Sequence, residues 1–420
     1  MGPDPLAVTA ALGDLPDLPH LAVVRDGART VVAVGPAEVV AMSGPEALAR
    51  LDRLTPGWWA GFLAYELGRC VERVVPRVVD DLGLPDVLLA RFDARLVLDP
   101  VAGPRLHGGG PGRELLEAVV AAAAARGARA TGVARTQTSA RSEPWRSSLE
   151  RAGFEARVRE IIDLIEDGEC YQVNLTRRLT CERAADPVAL FGALARHNPA
   201  PHAALLRLGG VAVVSASPER FLRWRGRDVE TRPIKGTAAD PEPLRASAKD
   251  RAENVMIVDL ARNDLGRVCD PGSIEVPALC AVEAHPGLHH LVSTVRGRRR
   301  VGSGLSALVA ATFPPASVTG APKPRVLQAI ADLEPVPRGA YCGALGWIDT
   351  ARGEGDLAVA IRTFTVAGGR THLGVGGGIV ADSDPAAEWH ETELKAARLL
   401  EAAEMAWPPV SAALAGTATS

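Results

Sequence analysis

Long apolar runs are the first thing that this sequence of 420 residues lacks. No run approaches the ~18 consecutive apolar residues that a membrane-spanning helix needs. The first six residues, M-G-P-D-P-L, have neither the basic nor the apolar region of a signal peptide. We therefore predict a cytoplasmic protein that makes no contact with a membrane.

An excess of charge of one sign is also missing. The 47 Lys and Arg residues nearly balance the 50 Asp and Glu residues, which leaves a formal net charge of −3. A general nucleic-acid binder needs a basic surface, so nucleic acid is not expected as a partner. The 47% hydrophobic and 23% charged content is ordinary for a soluble globular protein.

Cysteine motifs are absent as well. The six cysteines are scattered and form no C-x-x-C pair, so we predict reduced thiols and no zinc site. None of them occupies the nucleophile elbow of an amidotransferase, and the chain has no G-x-S-x-G, H-E-x-x-H or P-loop motif. These absences exclude several enzyme classes without identifying one.

One segment has the composition of a linker. Residues 131–148 are rich in Thr, Ser and Arg and have no hydrophobic period. We expect this linker to separate an N-terminal part, residues 1–130, from a larger domain, residues 149–408. Residues 409–420 are then a C-terminal tail.

Helical and strand patterns alternate irregularly along the larger domain. Apolar residues recur three to four apart over 149–167, and further helices are predicted over 245–265 and 385–405. Strands are predicted over 171–176 and 371–375. Because no regular strand-helix-strand repeat appears, the pattern favours a layered α+β fold over a doubly wound sheet.

Charged residues on two of these helices are candidates for a site. Glu388, Glu391 and Lys395 are three and four residues apart and so share one face of the last helix. A solvated face with an ordinary Glu–Lys pair explains that spacing equally well. Glu253 lies in an apolar stripe with Ile257, where a carboxylate is costly unless it is paired or binds a cation such as Mg²⁺.

Three further features have both an ordinary and a functional interpretation. The glycine cluster around 376–378 either forms a tight strand-to-helix turn or lets backbone N–H groups approach an anion. Lys235 is predicted in a turn, where most lysines are simply exposed. His290 lies among apolar residues, where a lone histidine is more often structural than catalytic.

The order of the motifs is more specific than any one of them. The sequence resembles the chorismate-utilising enzymes, which include the anthranilate, aminodeoxychorismate, isochorismate and salicylate synthases. The resemblance is dense from about 150 to 405. It rests on S-P-E-R-F at 217–221, P-I-K-G-T at 233–237, R-A-E-N at 251–254, H-H-L-V-S at 289–293, T-G-A-P-K at 319–323, R-G-A-Y-C-G at 338–343, A-I-R-T at 360–363 and G-G-G-I-V-A-D-S at 376–383.

The resemblance implies a fold and a cofactor. The expected fold is that of anthranilate synthase component I, with two facing antiparallel β-sheets flanked by helices. The expected cofactor is Mg²⁺, which would grip the ring carboxylate of chorismate. By motif position, Glu253 and Glu391 look like its ligands, with Glu388 nearby.

The resemblance also implies roles in substrate binding. Tyr341 and Arg362 match the family residues that hold the enolpyruvyl carboxylate. The glycine cluster and Lys395 would complete the anion cradle, while Thr319 and Gly320 would contact the substrate. The glycines of this cluster that would contact the substrate are Gly376, Gly377 and Gly378.

Two catalytic roles follow from the same resemblance. Glu219 matches the general acid that helps to expel the ring hydroxyl. His290 matches the histidine that assists pyruvate loss in anthranilate synthases.

Two positions distinguish the branches of the family. The water-adding enzymes carry a lysine where this chain has Gln172, which favours ammonia over water as the nucleophile. Anthranilate synthases generally have P-I-A-G-T, whereas P-I-K-G-T with Lys235 resembles aminodeoxychorismate synthase component I. In that branch the lysine attacks the ring, and an attacking lysine must be unprotonated.

The resemblance therefore implies amination of chorismate to 4-amino-4-deoxychorismate for p-aminobenzoate, folate or a related pathway. Ammonia would come from a separate glutamine amidotransferase subunit, since this chain shows no glutaminase motif. The main alternative is anthranilate synthase component I. Isochorismate synthase and a non-catalytic chorismate-binding subunit are further alternatives.

Overall fold

The computed structural model describes residues 8–9, 11–12, 18–127, 145–285 and 288–404. Its strands, in chain order, are β1 (Leu21–Asp26), β2 (Arg29–Val34), β3 (Glu38–Met42), β4 (Trp58–Leu63), β5 (Val87–Phe92), β6 (Ala94–Asp99), β7 (Gly103–Gly108), β8 (Arg146–Ser147), β9 (Gln172–Cys181), β10 (His202–Leu208), β11 (Val211–Ser217), β12 (Arg220–Arg225), β13 (Asp228–Arg232), β14 (Ile234–Ala238), β15 (Glu275–His285), β16 (Leu288–Arg298), β17 (Gly320–Ala321), β18 (Ala344–Asp349), β19 (Glu354–Val359), β20 (Thr363–Ala367) and β21 (Arg370–Ile379).

Its α-helices are α1 (Pro45–Arg50), α2 (Pro111–Gly127), α3 (Arg151–Glu166), α4 (Pro187–His197), α5 (Pro241–Ala246), α6 (Ala248–Gly266), α7 (Leu305–Thr312), α8 (Lys323–Leu333) and α9 (Pro385–Glu404). Short 3₁₀ turns occur at Leu51–Arg53, Tyr65–Cys70 and Ala316–Val318. The helices predicted over 149–167, 245–265 and 385–405 correspond to α3, α6 and α9.

The strands form two large antiparallel sheets. The first has the order β17-β9-β21-β20-β11-β10-β1-β2-β6-β7, with β8 paired to β9. The second has the order β14-β16-β13-β12-β19-β18-β4-β5-β3, with β15 paired to β16. The expected α+β fold with two facing antiparallel sheets flanked by helices is confirmed.

Apolar side chains fill three layers around these sheets. The central layer lies between the sheets and includes Trp58, Phe62 and Leu206. An outer layer packs α2, α4 and α9 against the first sheet. Another packs α1, α6 and α7 against the second sheet. Because side chains alternate between the faces of a strand, each sheet contributes to two of these layers.

Both halves of the chain contribute to both sheets. In the first sheet β1 pairs with β10, and in the second sheet β4 pairs with β18. The predicted linker 131–148 lies mostly outside the described residues, and Arg146–Ser147 at its end forms β8 against β9. The division into 1–130 and 149–408 remains a prediction, and the tail 409–420 lies outside the described residues.

Local features of α3 agree with the sequence pattern. Phe154, Val158 and Ile161 are fully buried on one face of the helix. Gly168 follows the helix with a left-handed φ of 77°, and its N–H donates to Ile165 O at 3.0 Å. Glycine suits this C-terminal position because it has no Cβ to clash.

Of the two interpretations of the glycine cluster, the structure does not match the strand-to-helix turn. Residues 376–378 lie inside β21, where each is paired with a residue of β9. Their backbone N–H and C=O groups therefore belong to a strand rather than to a strand-to-helix turn. Glycine is needed at 376 because a Cβ there would overlap the carbonyl oxygen of Leu175.

The structure can be compared with two of the sequence observations, on the cysteines and on long apolar helices. All six cysteines are free thiols. In the described part of the chain, no helix combines the length and the apolar character that crossing a bilayer requires.

Candidate active site

A cavity of about 760 Å³ opens where the two sheets part. The second sheet contributes β14 to its wall, and α6 packs against that side. The first sheet contributes β21, and α9 covers it. The cavity brings together most of the predicted site residues, namely Glu219, Lys235, Glu253, His290, Tyr341, Arg362, Gly376, Gly377, Gly378, Glu388, Glu391 and Lys395.

Lys235 stands on β14 rather than in an exposed turn. Its side chain is mostly buried, with 14% of its surface exposed, and its Nζ lies 3.5 Å from Glu253 Oε2. Opposite it, Gly378 leaves the space that a side chain would fill. A Cβ at 378 would stand 3.3 Å from Lys235 Nζ and would overlap Gln172 Nε2.

Gln172 lies directly beside this amine. The residue is fully buried, and neither its Nε2 nor its Oε1 has a hydrogen-bond partner among the described residues. A buried amide without partners is costly unless another group satisfies it. Gln172 itself does not line the cavity, although its Nε2 lies close to Gly378, which does.

Glu219 is buried at the end of β11, in the segment before β12. Its backbone N–H donates to Ser217 Oγ at 3.2 Å, which fixes the turn at Pro218. Burial raises the pKa of the Glu219 carboxyl to about 7, although the nearby Lys235 charge opposes this shift. A carboxyl with this pKa holds a proton in a sizeable fraction of molecules at neutral pH, as a general acid requires.

Three carboxylates predicted as site residues line the same cavity from two helices, and Asp250 of α6 lines it as well. Glu388 accepts a hydrogen bond from Ser383 Oγ at 2.7 Å, and burial raises its pKa. Burial also opposes the ionisation of Glu391, but Lys395, 2.6 Å away, outweighs it and lowers the pKa of that carboxyl. Glu253 approaches from α6 and pairs with Lys235.

These carboxylates fit a magnesium ion in chemistry and in number. No three His, Cys, Asp or Glu side chains in the described ranges are already gathered as a metal cluster. Mg²⁺ usually takes only one or two protein carboxylates and keeps waters or substrate oxygens as its other ligands. Glu253 and Glu391, with Glu388 beside them, supply that donor set from opposite walls.

Arg362 is a cation without a counterion. Its backbone has a left-handed φ of 50° between β19 and β20, which is costly for a residue with a side chain. Burial and the charge of Arg398 lower its pKa. Over residues 18–127, 145–285 and 288–404, its guanidinium has neither an ion-pair nor a hydrogen-bond partner, so it is free to bind an anion.

His290 reaches the cavity from β16. Its ring is buried, and its Nδ1 lies 2.9 Å from Thr237 Oγ1. Burial and the charge of Arg362 lower its pKa to about 4. The imidazole is therefore neutral at pH 7.

Thr319 and Gly320 do not line the cavity. Thr319 is fully buried, and its hydroxyl donates to Pro315 O at 3.1 Å. Gly320 pairs with Val173 in the short strand β17. At this point the wall is formed by the preceding residues, Ser317 and Val318.

Several lining residues were missed from the sequence. Lys249 and Arg398 line the cavity one turn from Glu253 and Lys395, respectively. Their helical spacing could have identified both. Asn174 and Ser317 also line it, but no local pattern marks them because they meet the site only through strand pairing and a 3₁₀ turn.

The chain matches the family of chorismate binding enzymes over residues 26–401 and belongs to that family. It is 42% identical to aminodeoxychorismate synthase component 1 of Klebsiella aerogenes over 358 residues, which cover 82% of this chain and 76% of that protein. It is 39% identical to anthranilate synthase component 1 of Thermus thermophilus over 371 residues, which cover 83% and 78%.

Solved structures agree with the fold. Anthranilate synthase component I from Streptococcus pneumoniae superposes with a TM-score of 0.73 at 26% identity, covering 92% of this chain and 93% of that one. The menaquinone-specific isochorismate synthase from Escherichia coli superposes with a TM-score of 0.71 at 19% identity, covering 95% and 91%. The latter likeness concerns the fold alone.

Proposed function

We propose that this chain is the chorismate-aminating component of an aminodeoxychorismate synthase. It would convert chorismate and ammonia to 4-amino-4-deoxychorismate and water, and the enolpyruvyl group would be retained. The observation that carries the proposal is a lysine amine, Lys235, that faces the cavity beside Glu253. Relatives named aminodeoxychorismate synthase component 1 support it, at 38% to 42% identity over 82% of this chain.

The proposed chemistry has two steps on the ring. The unprotonated Nζ of Lys235 attacks the carbon ortho to the ring carboxylate, the double bond shifts, and the para hydroxyl leaves. Glu219 gives that hydroxyl a proton, so that it departs as water. Ammonia then adds at the para carbon, the double bond shifts back, and the lysine amine is released.

The charges of the cavity suit a substrate with two carboxylates. Arg362, which has no counterion among the residues that the structure describes, would hold the enolpyruvyl carboxylate beside Tyr341, because a guanidinium fork matches a carboxylate. Burial keeps the pKa of the Tyr341 phenol well above its usual range, so it remains a hydrogen-bond donor. Glu253 and Glu391, with Glu388, would hold Mg²⁺, which supplies positive charge for the ring carboxylate.

Gln172, together with the Lys235 amine that faces the cavity, favours ammonia as the second nucleophile. An amide cannot deprotonate water as a lysine base does. The ammonia would come from a separate glutamine amidotransferase, a partner that the name component 1 of the relatives suggests.

Anthranilate synthase activity is the second candidate. His290 faces the cavity, and a neutral imidazole there could remove the proton that pyruvate elimination requires. The relatives with that name reach similar identity, 39% for the Thermus protein. Product identity therefore has to separate the two reactions.

The deciding experiment is a mass-resolved product assay with chorismate, Mg²⁺ and ammonium, with and without an added aminodeoxychorismate lyase. We expect aminodeoxychorismate alone, converted to p-aminobenzoate only by the lyase. Anthranilate with pyruvate would establish the second candidate instead. Isochorismate would mean that Gln172 does not exclude water, and binding of chorismate in calorimetry without any product would indicate a non-catalytic subunit.

Two substitutions test the role of Lys235. Both Lys235→Ala and Lys235→Arg should abolish amination, although Lys235→Arg keeps a positive charge beside Glu253. Without ammonia, the wild-type chain should gain the mass of dehydrated chorismate on the peptide that contains Lys235. Full amination by Lys235→Arg would show that charge, not covalent attack, is what the lysine supplies.

A further inference from the structure

The motif R-A-E-N at 251–254 contains a residue to which the chemistry assigns no role. Asn254 follows Glu253 on α6, and its side chain is completely buried. A buried amide in a helix interior is unfavourable unless its hydrogen bonds are satisfied. Its contacts therefore show what the residue accomplishes.

The Asn254 amide binds two strands of the second sheet. Its Nδ2 donates to Leu291 O on β16 at 3.2 Å. Its Oδ1 accepts a hydrogen bond from Ser293 Oγ, two residues further along the same strand. That hydroxyl in turn accepts the N–H of Cys280 on β15 at 2.8 Å.

The point of attachment lies next to the reactive groups. Leu291 is the register partner of Lys235 across β14 and β16, and it directly follows His290. Cys280 lies where the pairing of β15 with β16 shifts register, and its φ of 54° is left-handed. The network thus holds an irregular part of the sheet that simple strand pairing would leave loose.

We propose that Asn254 is a positioning residue that sets the distance between Lys235 and Glu253. Glu253 moves with α6, and Lys235 moves with β14 through β16. The Asn254 amide joins α6 to β16 close to both groups, since Asn254 directly follows Glu253 and its partner Leu291 pairs with Lys235. Its effect on turnover rests on the proposed function, whereas its effect on the Lys235–Glu253 pair does not.

Asn254→Leu removes both of its bonds to β16 and Ser293→Ala removes one of them, while Thr371→Val is a matched control. Thr371 is as fully buried as Ser293. Its hydroxyl also joins two backbone groups, since it donates to Arg183 O at 2.7 Å and accepts the N–H of Ala185 at 2.9 Å. It lies in the first sheet, at the end of β21 away from Gly378.

The first measurement does not depend on activity. Lys235 is labelled with a small amine-reactive reagent, and the rate is followed by peptide mass spectrometry. Because a loosened pair frees the amine from Glu253, Asn254→Leu and Ser293→Ala should raise the rate severalfold. Thr371→Val should leave the rate unchanged even if it lowers the melting temperature equally.

The second measurement separates kcat from KM for chorismate. Displacement of a reacting group by a fraction of an ångström to 1 Å costs about tenfold to a hundredfold in rate. We expect a loss of kcat in this range with little change in KM, since Arg362 lies on a different element. A Thr371→Val enzyme should keep the wild-type kcat.

Each outcome decides something. If labelling and kcat of both test variants match Thr371→Val, Asn254 is only structural and the proposal is overturned. If wild-type protein aminates nothing but Lys235 labelling responds to Asn254→Leu, the proposed function fails and the positioning role stands. If Asn254→Leu does not fold, Ser293→Ala decides alone, because it leaves the bond from Asn254 Nδ2 to Leu291 in place.

Discussion

At the residue scale, the protonation of one carboxyl controls the proposed reaction. Burial raises the pKa of Glu219 to about 7, and the residue acts as an acid only while it is protonated. Its protonated fraction is about one half at pH 7 and falls to about one tenth at pH 8. The acid-dependent rate should therefore fall as the pH rises through 7.

The first prediction follows from this loss of protonated Glu219 as the pH rises. At constant free ammonia, the wild-type rate should show a descending limb near pH 7. Glu219→Gln should be slower by about 10²- to 10⁴-fold and should lose that limb, because an amide keeps the shape but gives no proton. If the pH–rate profile of Glu219→Gln falls with the same midpoint as that of the wild type, the titration belongs to another group.

The second prediction concerns the space at Gly378. In Gly378→Ala the new methyl group would overlap Gln172 Nε2 and stand 3.3 Å from Lys235 Nζ. Because Gln172 is fully buried, it would be pushed against the amine. We expect amination to fall by about tenfold or more and the free energy of unfolding to fall by about 1–3 kcal/mol.

Gly192→Ala is the control for that substitution. A Cβ at 192 on α4 would meet only the flexible end of Arg196, at 3.4 Å. Alanine is also the better helix former by about 0.5–1 kcal/mol. We therefore expect wild-type turnover for Gly192→Ala. Wild-type turnover of Gly378→Ala would show that amination does not need the space at Gly378.

At the element scale, the two helices that carry carboxylates are each held by a buried cation. Arg177 on β9 donates to Thr392 Oγ1 at 3.0 Å and stacks 4.0 Å from the Trp389 ring of α9. Lys323, at the start of α8, pairs with Asp264, near the end of α6, at 2.7 Å. The same Lys323 Nζ also donates to Thr312 O at 3.2 Å.

The third prediction concerns this Lys323–Asp264 pair. Only 10% and 8% of the two side-chain surfaces are exposed, so Asp264→Asn leaves the buried Lys323 charge without its carboxylate partner, with the hydrogen bond to Thr312 O remaining. Removal of one partner from such a pair costs about 3–5 kcal/mol of unfolding free energy. Urea unfolding should show this loss, and Asp264→Asn combined with Lys323→Met should recover part of it. Equal stability of Asp264→Asn and wild type would show that the pair contributes nothing.

At the scale of the whole molecule, the sheets that carry the candidate site include strands from the other end of the chain. The strand β10 pairs with β1, and β18 pairs with β4. A fragment of residues 145–420 would expose these edges together with the apolar layer between the sheets. Exposed edges and apolar faces lead to aggregation.

The fourth prediction follows from this interleaving. Residues 145–420 expressed alone should be insoluble or should lack a cooperative thermal transition. Co-expression with residues 1–127 should restore a soluble complex, because the missing strands pair without a covalent link. A soluble 145–420 fragment with a sharp melting transition would instead support the division at 131–148 as a boundary between folding units.

Much of the secondary structure was accessible from local patterns, and much of the site was not. The apolar period of Phe154, Val158 and Ile161 predicted α3, because a helix presents every third or fourth residue to one neighbour. For the glycines of 376–378 the local pattern left both a turn and an anion cradle open, because the need for glycine depends on which neighbour approaches it. Here that neighbour is β9, which is about 200 positions away in the sequence.

The sequence by itself determined the family, through the order of its motifs, and it determined the helical faces, through their period. Only the tertiary structure placed Gln172 and Lys235 near the space that Gly378 leaves open and moved Thr319 behind the wall. The hydrophobic periodicity of a single segment does not predict contacts between residues that are distant in the sequence. They arise because antiparallel pairing and burial of both sheet faces bring distant segments together, and the free energy of that packing belongs to the whole chain.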